Sequence, residues 1–197
     1  MISKYLTSSK TSLKIYQGFT LLEVLITIAI LAIATIIALP ALNEFTVKMR
    51  VDNEISQLHR MLLLTRNTAI NAEQNITICP LDINNSCSTN WHQAVTVFKD
   101  LNENQRYDSA NNETIVQIKS AISNEDTLKY EKTSLIYTAT GNLANDSSVL
   151  PFSYCPNAFN ELGRGILVSL SGRSYVTSDT DNDGRDEDRY GNEISCA

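Results

Sequence analysis

The sequence has few of the residues that build catalytic or zinc sites. It contains only two histidines, His59 and His92, which form no cluster with the four cysteines, and no cysteine pair has the C-x2-C spacing of a zinc site. Its serines lie in no nucleophile elbow, so no hydrolase motif of that kind is present. We therefore expect no enzymatic activity, no catalytic residue and no resident cofactor.

Positive charge is also in short supply. The chain has 16 lysines and arginines against 22 acidic residues, for a net charge of −6. Three of the positive charges, on Lys4, Lys10 and Lys14, precede the main apolar run, and their removal would leave a net charge of −9. An acidic chain of this kind argues against nucleic acid as its default partner, because phosphates repel it.

A single long apolar run is the most distinctive segment. Phe19 to Leu39 contains one charge, Glu23, and is long enough to span a bilayer as a helix. The lysines before it place the N-terminus in the cytoplasm. A secretory signal peptide is disfavoured, since the run is too long and Leu39-Pro40-Ala41 lacks a small-residue cleavage site. An ordinary signal anchor leaves Glu23 unexplained, because a charge at the centre of a membrane helix costs about 2.5–3.5 kcal/mol.

Helical periodicity continues beyond Pro40. A seam of apolar residues recurs at helical spacing on residues 40–72, and most charged residues lie off it. We expect one helix from Phe19 to about Asn71, bent or loosened at Pro40, whose second half is covered by a folded domain. The predicted seam consists of Val51, Ile55, Leu58, Leu62 and Ala69.

From residue 73 to residue 197 the pattern changes to short strands between Asn, Asp, Ser and Gly clusters. These strands predict an antiparallel β domain packed on the second half of the helix, an α+β arrangement. The last two strands would form a hairpin about Ser171-Gly172. The predicted strands are Ile76–Cys79, Ala94–Phe98, Thr114–Ile118, Leu135–Thr140, Val149–Tyr154, Gly165–Leu170 and Arg173–Ser178.

All four cysteines, Cys79, Cys87, Cys155 and Cys196, follow the apolar run. An even number of cysteines beyond a membrane anchor favours disulfides in an oxidising compartment. Three connectivities are possible. Proximity in the chain favours Cys79–Cys87, which leaves Cys155–Cys196.

The N-terminal segment resembles the class III signal of type IV prepilins. The resemblance rests on a basic leader, the sequence Gly18-Phe19-Thr20-Leu21-Leu22-Glu23 and the apolar helix that follows. It implies that a membrane prepilin peptidase removes residues 1–18 by cutting between Gly18 and Phe19, and then N-methylates Phe19. The carboxylate of Glu23 then gains a partner, the new α-amino group of Phe19 in the same chain or in a neighbour, and thereby sets the register of assembly.

The rest of the chain resembles the GspH/FimT/FimU branch of minor pilins and pseudopilins. That branch has a cysteine-bounded loop, a tryptophan, an aliphatic–Phe strand and an Asp/Asn-rich loop, which are matched by Cys79 to Cys87, Trp91, Val95–Phe98 and Asp100–Asp108. A late strand pair with a Gly-Arg turn is matched by Gly165–Arg173. Gln93-Ala94 and Gln105 stand where relatives commonly have glycine, which suggests altered turns.

The resemblance implies a pilin fold and a structural role as a minor pilin in the tip or initiation complex of a type IV pilus. Its partners would be other minor and major pilins, the prepilin peptidase, the inner-membrane assembly platform and, before assembly, the lipid bilayer. The chain would cross the inner membrane once, with residues 73–197 in the periplasm, before entering a filament. A minor pseudopilin of a type II secretion system is the alternative.

Two loops could bind calcium. Asp179, Asp181, Asp183 and Gly184 have the D-x-D-x-D-G spacing of a calcium loop, although Tyr190 occupies the twelfth position, where a glutamate is expected. Glu187 or Asp188 could replace it only in a loop of another shape. A solvated acidic turn is the simpler interpretation. A fainter version of the pattern is formed by Asp100, Asn102, Asn104 and Asp108.

DNA binding is the second functional alternative. Some FimT-type proteins bind DNA through a basic G-R-x-R motif, and this chain has Gly172-Arg173-Ser174-Tyr175, without the second arginine. Arg164 and Arg173 could form a small basic patch. The tail from Val176 to Ala197 carries seven acidic residues and two arginines, a balance that would repel phosphates.

Overall fold

The computed structural model describes residues 18–144 and 150–196. The predicted leader therefore lies outside the described residues except for Gly18, and so does Val149 at the start of one predicted strand. The chain divides into two compact units, one ending at Leu42 and one beginning at Asn43.

The helix α1 comprises Leu21–Ala72 and is helical through Pro40. Its N-terminal part is long and apolar enough to span a membrane. All residues from 18 to 46 are exposed, including large side chains such as Phe19 and Leu31. Apolar residues on every face of a helix are typical of a segment that lies in lipid or against other subunits.

The unit that begins at Asn43, which we call the head, includes the second half of α1. This half of the helix packs one face against the rest of the head. The five predicted seam residues are all buried, as predicted. Three further buried positions extend the seam. One is Thr65, whose buried hydroxyl has a hydrogen-bond partner because it donates to the Met61 carbonyl over 2.7 Å. The buried residues of α1 are Val47, Val51, Ile55, Leu58, Met61, Leu62, Thr65 and Ala69.

The described residues of the head form two antiparallel four-stranded sheets. The first has the order β3-β2-β1-β5 and the second the order β4-β6-β7-β8. Side chains from both sheets and from α1 form one hydrophobic core, so the fold is α+β, as predicted. The strands are β1 Ile76–Pro80, β2 Val95–Lys99, β3 Ile115–Lys119, β4 Thr127–Lys129, β5 Leu135–Tyr137, β6 Pro151–Cys155, β7 Arg164–Val168 and β8 Ser174–Val176.

The sequence-based prediction placed seven strands and missed β4. In that three-residue strand only Leu128 is buried, and the flanking Thr127 and Lys129 are exposed. So short a segment has too few positions to show an alternating pattern. The hairpin about Ser171-Gly172 is confirmed: β7 and β8 pair antiparallel, and the turn is closed by a hydrogen bond from the Gly172 N–H to the Ser169 carbonyl over 2.8 Å.

Trp91 lies in the core and is 1% exposed. Its ring packs edge-on against Tyr130 and Phe152, whose rings stack on each other with centroids 4.0 Å apart. The indole N–H donates to the Lys132 carbonyl over 2.7 Å, so the buried polar atom is satisfied.

Ion pairs also join α1 to β3 and to the residue that precedes β4. Arg50 pairs with the buried carboxylate of Asp126, and Glu54 pairs with Lys119 at the end of β3. The Asp126 carboxylate also accepts the Tyr154 hydroxyl. This hydrogen bond and, above all, the burial of the ring raise the pKa of Tyr154 well above its ordinary value.

Two tight turns meet near the C-terminal end of α1. Gly141 and Gly172 both have positive φ, and a Cβ on Gly172 would lie 1.9 Å from the Gly141 carbonyl oxygen. The Arg66 guanidinium donates to that same carbonyl over 3.0 Å and to the Ser171 carbonyl over 3.3 Å. The glycine of the Gly-Arg turn is therefore required by close backbone approach.

Both disulfides are present in the structure. Cys79–Cys87 closes the loop after β1, and Cys155–Cys196 joins the end of β6 to the C-terminal segment. These are the pairs that proximity in the chain favours.

Candidate functional site

The N-terminus of α1 is organised by a cap. Thr20 precedes the helix, and its hydroxyl oxygen accepts the Glu23 N–H over 3.2 Å while its carbonyl accepts the Val24 N–H. This is one half of a capping box, Thr-x-x-Glu. Glu23 therefore lies in the first turn, where the helix dipole favours a negative charge.

Gly18 and Phe19 lie just outside that cap and are both exposed. A Cβ on Gly18 would meet nothing within 4 Å, and Phe19 is 82% exposed. Within the described residues the Glu23 carboxylate has no hydrogen bond or ion pair. The site thus combines an exposed Gly18 and Phe19 with a nearby carboxylate that has no partner among the described residues.

One protein-family model matches more than half of the chain. Residues 54–172 match the family described as Type II transport protein GspH. The chain belongs to the GspH family. Residues 13–39 separately match the prokaryotic N-terminal methylation motif, which spans the Gly18–Phe19 bond and most of the exposed apolar segment.

The fold of this GspH-family chain is similar to that of the type IV minor pilin FimU of Pseudomonas aeruginosa strain PAO1. In one crystal form the match has 20% identity and a TM-score of 0.54, and it covers 68% of this chain and 92% of FimU. In a second crystal form it covers 62% and 89%, with a TM-score of 0.49. The pilin-like fold is the conclusion that this likeness supports.

The two arginines predicted as a basic patch do not lie together. The pairing of Val168 with Ser174 places Arg164 and Arg173 at opposite ends of the β7–β8 hairpin. Moreover, the Arg164 guanidinium is paired with Asp52 of α1 and with Asp186, the latter over 2.7 Å. The predicted patch is therefore corrected to one exposed residue, Arg173.

The predicted calcium residues do lie together. Asp179, Asp181 and Asp183 each offer a carboxylate oxygen, and these oxygens lie within 4.8 Å of one another and of a fourth oxygen, from Glu187. The aspartates are exposed, whereas Glu187 is 5% exposed. The sequence offered Glu187 or Asp188 as a fourth carboxylate beside the three aspartates, and the structure brings Glu187 to them.

The fainter loop forms a different structure. Asp100 is buried, and its two oxygens accept the Thr77 hydroxyl and the backbone N–H groups of Asn104 and Gln105. Gln105 itself has a φ of 56°, in the left-handed region that favours glycine, at a position where the resemblance led us to expect an altered turn. The polar side chains here accept backbone N–H groups of the loop itself, as Asn104 does from Arg106 and Asp108 from Ala110.

Sequence reasoning missed the residues that connect α1 to the tail. Asp52, Arg164 and Asp186 form one ionic chain, in which Asp186 also accepts the Thr177 hydroxyl over 2.9 Å. Asp52 and Arg164 are 112 positions apart. One feature of the sequence indicated these contacts: charged residues flank the apolar seam of α1, where they lie close to the domain that covers it.

Proposed function

We propose that this chain is a minor pilin of a type IV pilus, a structural subunit that assembles with other pilins through the first half of α1. One observation carries the proposal: residues 18–46 are all exposed, mostly apolar and uncharged apart from Glu23 and Glu44, on a GspH-family chain whose head forms its own core. Such a segment needs lipid before assembly and other apolar helices after it.

Processing would create the partner of Glu23. Cleavage between Gly18 and Phe19 by a prepilin peptidase removes the leader and produces a positive α-amino group, which is then N-methylated. The Glu23 carboxylate would pair with that group in the same chain or in an adjacent subunit. A subunit out of register would leave a charge unpaired among apolar helices, so the pair selects one axial position.

Topology and partners follow from the same segment. The chain would lie in the inner membrane with its head in the periplasm, and the assembly platform would then draw it into a filament at low copy number with other minor pilins. Two disulfides in the head suit the oxidising periplasm. We propose no catalytic role.

A minor pseudopilin of a type II secretion system is the second candidate. The description of the matching family favours it, and the anchor would work in the same way. Deletion of the gene separates the two functions, because loss of pili with normal secretion supports the pilus and the reverse result supports the secretion system. DNA binding is a weaker candidate, since Arg164 is paired with two carboxylates at the other end of the hairpin from Arg173 and the tail is acidic.

Substitution of Glu23 tests the assembly step. Glu23→Gln keeps the size of the side chain and removes its charge, so we expect normal cleavage and methylation but at least tenfold less of the chain in sheared filaments. The matched control is Glu44→Gln, which removes an exposed charge from the same helix just beyond the apolar run. Mass spectrometry of the membrane-bound chain measures processing, and immunoblotting of filaments measures assembly.

Incorporation of the Glu23→Gln chain at the wild-type level would contradict the pairing of Glu23 with an α-amino group. Equal loss in both variants would mean that any loss of charge from α1 impairs assembly. A gene deletion that leaves piliation and secretion unchanged would overturn both candidate functions.

A further inference from the structure

The acidic loop of the tail has a property that the assembly role does not use. Its carboxylates fall into two groups. Asp186 binds Arg164, and Asp188 accepts N–H groups from Tyr190 and Asn192. The other four side chains, Asp179, Asp181, Asp183 and Glu187, turn toward one another.

We propose that these four carboxylates form a calcium site in the head. One oxygen from each lies within 4.8 Å of the other three. Like charges so close together repel, and among the described residues neither arginine of the loop forms an ion pair with them. Arg185 pairs with Glu193, and the Arg189 guanidinium lies over the Tyr175 ring. A bound cation would supply the missing positive charge.

Glu187 gives the independent indication that a ligand belongs here. Its residue is 95% buried, and its Oε1 atom has no hydrogen-bond partner, whereas Oε2 accepts the N–H and the hydroxyl of Thr180. A buried carboxylate oxygen without a partner is costly. Coordination to a cation beside the three aspartates would satisfy it.

The backbone holds this arrangement in place. Glu187 and Ser178 exchange both backbone hydrogen bonds, so the loop is closed at its base. Asp179 accepts the N–H groups of Asn182 and Gly184, and Gly184 has a φ of 92° that turns the chain sharply. Each carboxylate oxygen has a second lone pair, so an oxygen that accepts an N–H can also bind a cation.

The donor set favours calcium over other common cations. It consists of carboxylate oxygens, without histidine or cysteine, which suits a hard ion. Calcium accepts six to eight oxygens at irregular angles, so three loop aspartates and one buried glutamate can be completed by carbonyls and water. Magnesium requires near-octahedral geometry at shorter distances and usually keeps several waters, so a set made mainly of protein carboxylates suits calcium better.

Calcium binding to the full chain in detergent micelles tests the site. After removal of metal with a chelator, titration with CaCl2 in a calorimeter should show one saturable site. Asp181→Asn keeps an oxygen to accept the Asp183 N–H and removes one charge. We expect affinity at least about tenfold weaker in this variant and in Glu187→Gln, since even indirect ligand partners contribute about 10–100-fold.

Asp82→Asn is the matched control. Asp82 accepts the N–H groups of Asn84 and Ser86 in an exposed turn of the same kind, but it lies in no carboxylate cluster. Unchanged binding in this control is expected. Unchanged thermal unfolding of Asp181→Asn in chelator shows that the loop change leaves the fold intact, and it keeps the test valid if Glu187→Gln does not fold.

Three results would overturn the proposal: no saturable heat with millimolar CaCl2, wild-type affinity in Asp181→Asn, or equal affinity for MgCl2. None of them depends on filament assembly. The calcium site and the pilin role can therefore fail separately.

Discussion

The two halves of α1 differ in almost everything except their secondary structure. From residue 21 to residue 46 every side chain is exposed, whereas from residue 47 to residue 72 eight residues are buried. The first part has an apolar surface on all sides, and the second has one apolar seam flanked by charges that pair with the head. One helix can thus present a surface for other molecules at one end and belong to a folded core at the other.

The difference shows how to assign stability and assembly to separate residues. Apolar side chains in the second half stabilise the head, because they are removed from water when the chain folds. Apolar side chains in the first half contribute nothing to the core of this chain and are available to neighbours. Variants in the two halves should therefore fail different assays.

The largest contrast is expected between two leucines. Leu62 is fully buried and Leu31 is 67% exposed. Leu62→Ala should lower the free energy of unfolding of the head by about 2–5 kcal/mol through loss of burial and creation of a cavity. Leu31→Ala should change it by less than about 0.5 kcal/mol. Denaturant unfolding of the full chain in micelles, followed by fluorescence of the single tryptophan, Trp91, measures both; equal effects would refute the division.

A smaller effect is expected from Arg66. Its guanidinium joins the Gly141 and Ser171 carbonyls, so Arg66→Ala should cost about 1–2 kcal/mol in the same unfolding measurement. Arg60→Ala is the control, because Arg60 is exposed on the same half of the helix and should change stability by less than about 0.5 kcal/mol. If Arg66→Ala behaves like the control, the seam alone holds this half of α1 to the head.

The smallest contrast concerns two threonines that make similar local hydrogen bonds. Thr65 and Thr35 each donate a hydroxyl to a carbonyl one turn earlier, but only Thr65 is buried. Thr65→Val should destabilise the head by about 0.5–1 kcal/mol, because the buried hydrogen bond is lost. Thr35→Val should leave the unfolding curve unchanged, and a shift of similar size in both would show that the bond acts only within the helix.

Much of the architecture could be predicted from the periodicity of apolar residues and from local motifs. The seam on α1 followed from residue spacing, and the hairpin about Ser171-Gly172 followed from a glycine turn between alternating residues. The anchor and the short loop Cys79–Cys87 were equally local. Features of this kind are encoded within a few turns or strands, where one sequence suffices to reveal them.

Long-range pairings could not be predicted in the same way. Nothing in the sequence links Asp52 to Arg164, because their contact depends on how the second sheet packs on α1. The fourth carboxylate of the acidic loop was ambiguous for a related reason: only the backbone pairing of Ser178 with Glu187 turns Glu187 inward. The two Asp-rich loops had similar composition, and their different structures emerged only from the hydrogen-bond donors around Asp100.

The Cys155–Cys196 disulfide keeps the tail attached to the head even if the backbone of the tail is cut. The bond closes a covalent ring that includes β7, β8 and the whole acidic loop. A protease that cuts the exposed residues between Asp179 and Arg185 would open this ring without releasing a fragment. Outside the cell, where proteases are common and reductants are scarce, a nicked head would keep all of its parts.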